Sequence, residues 1–126
     1  LAYGRAGLGP DAVSVAEVHD ATAFSLLYQA EMLGFCAPGE GGPFIESGAT
    51  ALDGRIPLNT SGGLIGKGHP VGATGIAMIY ELMLQLRGDA GQRQVRGASV
   101  ALAENGGGMV GFDEAVCVVT LLDRRP

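Results

Sequence analysis

Three side chains that can carry protons lie where the chain is predicted to leave regular structure: His19, His69 and Glu104. Histidine changes charge near neutral pH, and a glutamate in a protected site can act as a general acid or base. If the three loops that hold them meet, they form a site for proton transfer. This is the first functional hypothesis that the sequence supports.

Each of these residues also has a structural interpretation. A single histidine at a strand end is more often a surface or hydrogen-bonded structural residue, and a carboxylate at a turn usually faces water. His69 differs because it lies in a glycine-rich stretch, residues 59–75, immediately before a predicted helix. Glycines bring bare backbone close to the ring, and a helix start offers N–H donors and the positive end of a dipole. These features favour a functional role for His69.

Two other kinds of site fit the sequence less well. A metal site from His19, Asp20 and His69 lacks the HxxxH or HxH spacing that would support it, so no metal is predicted. A phosphate-binding loop requires GxxxxGK followed by a hydroxyl residue, whereas Lys67 is followed by glycine. Proton-transfer chemistry remains the better hypothesis.

The elements that would position these residues follow from hydrophobic patterning. Residues 13–19 are rich in β-branched side chains and predict a strand that ends at His19. A helix follows, with Asp20 as its predicted N-cap and Gly34 as its stop. Residues 36–59 are rich in glycine and proline and predict a long loop, which in a compact domain is usually functional.

The second half of the chain is predicted to form the buried helix and the central strands of the fold. Residues 71–86 are apolar around the whole circumference, which predicts a helix surrounded by protein, with Pro70 in its first position. Residues 98–103 and 115–122 are continuous apolar runs, as in strands covered on both faces. The order of elements predicts an α/β fold with helices layered on a mixed β-sheet and one buried helix.

Composition excludes several classes of protein. A chain of 126 residues is most simply a single domain, residues 1–126, and 47% hydrophobic residues suffice for one core. The net charge of −5 and the absence of tryptophan argue against nucleic-acid binding. No apolar run reaches the ~18 residues of a membrane span. Cys36 and Cys117 are far apart and are predicted to be buried free thiols, as expected of a cytoplasmic protein.

Four stretches of the sequence resemble a known family. Residues 59–75, NTSGGLIGKGHPVGATG, look like the C-terminal signature of thiolases, which form and cleave 3-ketoacyl thioesters of coenzyme A. Residues 16–24, AEVHDATAF, resemble the family's NEAF-type block in its HD form, and residues 101–108, ALAENGGG, occupy the place of its CxG block. Residues 34–50 resemble the sterol-carrier-protein-type branch. The resemblance covers nearly the whole chain, but only the C-terminal half of a thiolase.

The resemblance implies a role for each site residue. His69 would help to activate a nucleophilic cysteine and donate to the thioester oxygen, and His19 would hold or replace the water that completes this oxyanion hole. The backbone N–H of Gly106 would serve a second oxyanion hole, and Glu104 would stand in for the family's acid–base cysteine. Preorganised donors of this kind are each worth about 100- to 1000-fold in rate. The implied contacts with the coenzyme A thioester are made by Ser61, Gly62, Gly63 and Ala21.

The resemblance also sets expectations for cofactors and partners. Coenzyme A would be a substrate, with no permanently bound cofactor, and the full-length protein is expected to form a homodimer or a higher oligomer. The nucleophilic cysteine would come from an N-terminal half, so that this chain alone is expected to be inactive.

The sequence departs from the family's pattern in ways that keep two alternatives open. Glu104 stands where the CxG cysteine is expected, and an unperturbed glutamate has a pKa of about 4.3 against about 8.5 for a thiol. Thr22 replaces an aromatic residue, and the connection after Gly108 is longer than expected. The alternatives are a retro-aldolase acting on a steroid-like acyl-CoA side chain and a non-catalytic acyl-CoA-binding or assembly module.

Overall fold

The computed structural model describes residues 1–111 and 114–124, which contain five α-helices and three strands. Short 3₁₀ turns at Pro10–Ala12 and Gly91–Arg93 connect some of these elements. The helices and strands, in chain order, are α1 (Ala2–Ala6), β1 (Val15–Glu17), α2 (Ala23–Met32), α3 (Gly41–Glu46), α4 (Gly63–Lys67), α5 (Thr74–Arg87), β2 (Val100–Gly107) and β3 (Val116–Asp123).

The three strands form one mixed sheet in the order β1–β2–β3. Strands β1 and β2 are parallel, with Glu17 opposite Ala103, and β2 and β3 are antiparallel, with Gly106 opposite Cys117. Because β1 and β2 run in the same direction, their carboxyl ends meet at one edge of the sheet. That edge holds both His19 and Glu104, and the predicted α/β fold with a mixed sheet is confirmed.

Two hydrophobic clusters cover the two faces of the sheet. Helix α2 and the segment after it pack on one face, where Ala30, Phe35 and Ile56 meet Leu102 of β2. Helix α5 packs on the other face, where Met78 and Leu82 are buried against β1 and β2. Strand β2 lies between the two layers, as its continuous apolar run predicts.

The start of α2 differs from the prediction. Asp20 is not the N-cap; Thr22 is, and its Oγ1 accepts a hydrogen bond of 3.1 Å from the Ser25 N–H. The Asp20 carboxylate instead accepts a hydrogen bond of 2.6 Å from the Leu64 N–H, at the first turn of α4. Both residues are good capping types, and the chain fold, not local pattern, assigns them to different helices.

Helix α5 begins later than predicted and is buried on one face only. Pro70 lies in a turn before the helix, where its carbonyl accepts hydrogen bonds from the backbone N–H groups of Ala73 and Thr74. The outer face carries Ile76 and Tyr80, which are 73% and 65% exposed. The prediction that protein surrounds the helix on all sides is therefore wrong for the described chain.

Strand β3 is more exposed than its apolar sequence predicts. Val116 and Val118 are 61% and 53% exposed, so the prediction that both faces of this strand are covered is wrong. Cys117 is exposed and Cys36 is half-buried, which corrects the prediction of two buried thiols. Both are free, as predicted.

The predicted long loop, residues 36–59, contains one short helix, α3. Helix α4 follows it, inside the glycine-rich stretch of residues 59–75. Across the described residues, no helix combines the length and the apolar character needed to cross a bilayer.

Candidate functional site

The two histidines of the chain lie against each other. His19 follows β1, His69 lies in the turn before α5, and their ring centroids are 4.9 Å apart with the planes perpendicular. The parallel pairing of β1 and β2 fixes the first position, and the packing of α5 on the same strands fixes the second. The chain thus brings together two residues that are fifty positions apart.

A threonine one turn along the chain holds the ring of His69. Thr74 Oγ1 lies 2.7 Å from His69 Nδ1 and donates a hydrogen bond of 3.1 Å to the Pro70 carbonyl. A hydroxyl has one proton, so an Oγ1 that donates to this carbonyl accepts from the Nδ1–H. In that arrangement Nε2 of the neutral ring carries the lone pair and can accept a proton.

His19 contributes its backbone and its ring to different contacts. Its backbone N–H donates a hydrogen bond of 2.9 Å to Glu104 Oε2. The residue is 9% exposed, and Nδ1 has no hydrogen-bond partner within the described part of the chain. A buried ring nitrogen of this kind is a position where a water or a ligand atom gains a hydrogen bond.

Glu104 is fully buried within β2, opposite Val119 of β3, so the prediction that it lies where the chain leaves the strand is wrong. Burial, together with the neighbouring charge of Glu114, raises the pKa of Glu104 to about 7, although the hydrogen bond from the His19 N–H lowers it. Cys117 lies across the strand pair, with its Sγ 3.4 Å from Glu104 Oε1. Burial and the charge of Glu104 raise the pKa of the Cys117 thiol to about 12, so this thiol stays protonated.

Sequence reasoning missed Glu114, which lies just before β3. It lines a cavity of about 370 Å³ that opens between α2 and the turn after β2. The residues that share this cavity with Glu114 include His19, Ala21, Phe24, Tyr28, Gln29 and Met109. The only sequence signal was that the connection after Gly108 is long; nothing in one sequence shows that its acidic residue folds back to the site.

Gly106 is the position where Glu114 comes closest to the backbone. A Cβ at Gly106 would fall 1.8 Å from a carboxylate oxygen of Glu114, so only glycine leaves room for that carboxylate. The predicted oxyanion-hole residue Gly106 is therefore buried beside an acidic side chain.

The glycine-rich stretch before α4 is held by buried carboxylates. Glu17 accepts a hydrogen bond of 3.0 Å from the Ser61 N–H and a second from its hydroxyl, and Lys67 Nζ lies 3.5 Å from Glu17. Burial raises the pKa of Glu17, while the Ser61 hydrogen bonds and the Lys67 charge oppose the increase. The Asp20 carboxylate lies against Gly63 and fills the space of a missing side chain.

The predicted coenzyme A contacts are thus not all in one place. Ala21 lines the cavity, Gly62 is exposed with a positive φ of 103°, and Gly63 is buried beside Asp20. The Ser61 hydroxyl is already engaged by Glu17 and Lys67.

One cluster has the side chains that could hold a metal ion. Ligand atoms of Glu104, Glu114 and Cys117 all lie within 4.8 Å of one another. The carboxyl groups of Glu104 and Glu114 are therefore close enough for their charges to interact directly.

Comparison with known proteins places this geometry in a family. The thiolase C-terminal domain-like family matches residues 1–120. Sterol carrier protein 2 of Rattus norvegicus is 48% identical over 122 residues, covering 90% of this chain and 22% of the relative. Acetyl-CoA acetyltransferase of Methanothermobacter thermautotrophicus is 48% identical over 110 residues, covering 87% of this chain and 29% of the relative.

A solved structure agrees with these relatives. An Ltp2-ChsH2(DUF35) aldolase superposes with a TM-score of 0.82 at 31% identity, covering 98% of this chain and 30% of that one. The chain spans less than a third of the length of each of these three proteins. The match over residues 1–120, with the two histidines in contact at the predicted blocks, shows that the chain belongs to the thiolase C-terminal domain-like family.

Proposed function

We propose that this chain, residues 1–126, forms the C-terminal catalytic domain of an acyltransferase that makes or cleaves 3-ketoacyl thioesters of coenzyme A. The observation that carries the proposal is the contact between His19 and His69, with Thr74 against Nδ1 of the second ring. The thiol nucleophile comes from a part of the protein outside this chain, since neither free cysteine lies in the cavity.

His69 is the residue that exchanges a proton with the nucleophile. With Nδ1 donating to Thr74, Nε2 accepts the thiol proton, and the thiolate attacks the acyl carbonyl. The protonated ring then donates from Nε2 to the thioester oxygen as negative charge develops there. A hydroxyl that orients the imidazole through its other nitrogen performs the task that a carboxylate performs in serine hydrolases.

His19 completes the site from the sheet. Its unpartnered Nδ1 binds a water or the thioester oxygen beside His69. Gly106 offers its backbone to a second oxyanion, and Glu104 supplies an acid–base carboxyl group. An ionised carboxylate beside Gly106 would oppose a developing oxyanion, whereas a protonated one would add a hydrogen-bond donor, so the site works with a proton on the carboxylate pair.

The remaining assignments rest on position. Coenzyme A contacts the segment of Ser61, Gly62 and Gly63, and Ala21 contacts the ligand inside the cavity. The exposed valines of β3 and the exposed face of α5 supply apolar contact area for the remainder of the protein and for a homodimer. Two free cysteines agree with a cytoplasmic protein.

The test uses the full-length protein that carries this chain, with Thr50→Val as a control remote from the histidines. In His69→Gln the rate of 3-ketoacyl-CoA thiolysis is expected to fall by about 100- to 1000-fold, because the ring acts on the transition state. In Thr74→Val the rate should fall by about tenfold, with KM nearly unchanged, since only the orienting hydrogen bond is lost. Equal rates in His69→Gln and the unaltered protein would contradict the proposal.

A carbon–carbon lyase is the second candidate, and two observations favour it. The aldolase structure is 31% identical, and a buried carboxylate stands where the thiolase family has a cysteine. A retro-aldolase would release an aldehyde or a ketone from a 3-hydroxyacyl-CoA with a steroid-like side chain, without added coenzyme A. Product analysis with 3-keto and 3-hydroxy substrates separates the two reactions, and binding of acyl-CoA without either product would favour a non-catalytic module.

A further inference from the structure

Two glutamates that are ten positions apart form a pair beside the cavity. Glu104 belongs to β2, and Glu114 precedes the antiparallel strand β3. Carboxylate oxygens of the two residues lie within 4.8 Å of each other, close enough for the two groups to share one proton. The proposed function assigns the acid–base group to Glu104, although the structure places the two carboxyl groups side by side.

The two members of the pair differ in access. Glu104 is fully buried, and its carboxylate is bound by the His19 N–H on one side and approached by the Cys117 thiol on the other. Glu114 is half-exposed and lines the cavity that also contains His19. A substrate in that cavity therefore reaches Glu114 and not Glu104.

Glu114 is held in place from two further directions. Gln29 in α2 donates a hydrogen bond of 3.3 Å from Nε2 to Glu114 Oε1. The space beside Gly106, where a Cβ would lie 1.8 Å from the carboxylate, receives the rest of the group. The buried Nδ1 of His19, which has no partner among the described residues, borders the same cavity and is an independent sign of a ligand there.

We infer that Glu114 is the residue that exchanges the substrate's proton, and that Glu104 is a positioning residue that shares this proton from behind. The inference rests on the proposed function, whose acid–base group it identifies. In the condensation direction the Cα–H bond of an acyl thioester breaks, its electron pair enters the thioester enolate, and the proton goes to Glu114. In the cleavage direction Glu114 returns the same proton to the carbon of the leaving enolate.

The groups that face the pair make this exchange feasible near neutral pH. They are the His19 N–H after β1, Gln29 from α2 and the Cys117 thiol from β3, and Tyr28 of α2 lines the same cavity as Glu114. Burial and the mutual repulsion of the carboxylates raise the pKa of Glu104 to about 7, so the pair gains and loses one proton close to that pH.

The test measures exchange of the Cα protons of acetyl-CoA with deuterium in D₂O, in the full-length protein and without a second substrate. Glu114→Gln is expected to lower the exchange rate by about 100-fold or more, and Glu46→Gln, an exposed carboxylate of α3, should leave it unchanged. Glu104→Gln should retain exchange and move its pH profile by about one unit to lower pH, because the repelling partner is removed. Circular dichroism confirms that each variant is folded.

The outcomes separate the two proposals. Exchange that is undiminished in Glu114→Gln, or absent from the unaltered protein, overturns the role of Glu114. Exchange that requires Glu114 in a protein that transfers no acyl group supports this inference and contradicts the proposed acyltransferase. A carbon-13 titration of the glutamate carboxyls adds a readout besides activity: two coupled steps are expected, and independent titration of Glu104 in the presence of Glu114 would contradict the shared proton.

Discussion

Buried glutamates occur in two places in this chain, and their negative charges are balanced differently. One place is the network beneath residues 60–67, which contains Glu17 and Glu81. The other is the carboxylate pair beside the cavity, Glu104 and Glu114. In the network, Glu17 faces Lys67, and Glu81 of α5 forms an ion pair of 2.8 Å with Arg93. In the pair, Glu104 has no cation within ion-pair distance in the described part of the chain. Its partner is a second carboxylate.

The difference appears in the protonation of the groups. Burial raises the pKa of Glu81, but hydrogen bonds from Arg93, Gln85 and Thr60 and the positive charge of Arg93 lower it. The net pKa lies below the usual value, so this carboxylate stays ionised. Glu104 receives hydrogen bonds from the His19 N–H and the Cys117 thiol but has no cation beside it among the described residues, and its pKa rises to about 7. A carboxylate that is balanced by cations fastens one segment to another, whereas one that is balanced by a proton can exchange it. Burial alone would not separate the two.

The largest expected effect breaks the network. Glu17→Ala removes the acceptor for the N–H and hydroxyl of Ser61 and the partner of Lys67, so these groups lose buried contacts. The free energy of unfolding, measured by urea denaturation, should fall by about 4 kcal/mol. Glu17→Gln keeps an acceptor for the Ser61 N–H and should lose less than half as much. If Glu17→Ala loses no more than Glu46→Ala, which removes an exposed carboxylate, the structural role of the network is wrong.

The next effect distinguishes the pair by its pH dependence. Since the pKa of Glu104 is about 7 in the folded protein and about 4.5 in an unfolded chain, the folded state binds the extra proton between these values. Its contribution to stability is complete below pH 4.5 and is lost as the pH rises to about 7, by up to about 3 kcal/mol. Glu104→Gln should remove this component from the pH profile of unfolding. Identical slopes in Glu104→Gln and the unaltered protein would show that folding does not raise the pKa of Glu104.

The sequence pattern predicted those parts of the structure that depend on neighbouring residues. The strand before His19, the apolar run of β2 and the mixed α/β fold follow from β-branched composition and continuous apolar runs, which are properties of a few neighbouring residues. The resemblance of residues 16–24, 59–75 and 101–108 to thiolase blocks indicated which loops carry the site. Both the family and the fold were predicted in this way.

The rest depends on contacts between distant residues. Asp20 and Thr22 are both capping residues, and only the fold shows that Asp20 binds the Leu64 N–H. The exposure of Tyr80 depends on what covers α5, which its apolar sequence does not show. The role of Glu114 could not be predicted, because its contact with Gly106 exists only after β3 has paired with β2.

The smallest expected effect comes from removing the cation beside Glu17, which would leave this buried carboxylate without a positive charge beside it, as Glu104 is among the described residues. Lys67→Gln removes the cation beside Glu17, and Lys67 is partly exposed, so the free energy of unfolding should fall by only about 1 kcal/mol at pH 8. Because the lost charge stabilises ionised Glu17, whose pKa is already raised by burial, the deficit should shrink as the pH falls and Glu17 takes up a proton. Arg96→Gln makes the same change in net charge at an exposed site and is the control. A deficit that does not change with pH would mean that Lys67 acts only through its hydrogen bond to Ser61, and that Glu17 is balanced by hydrogen bonds instead of charge.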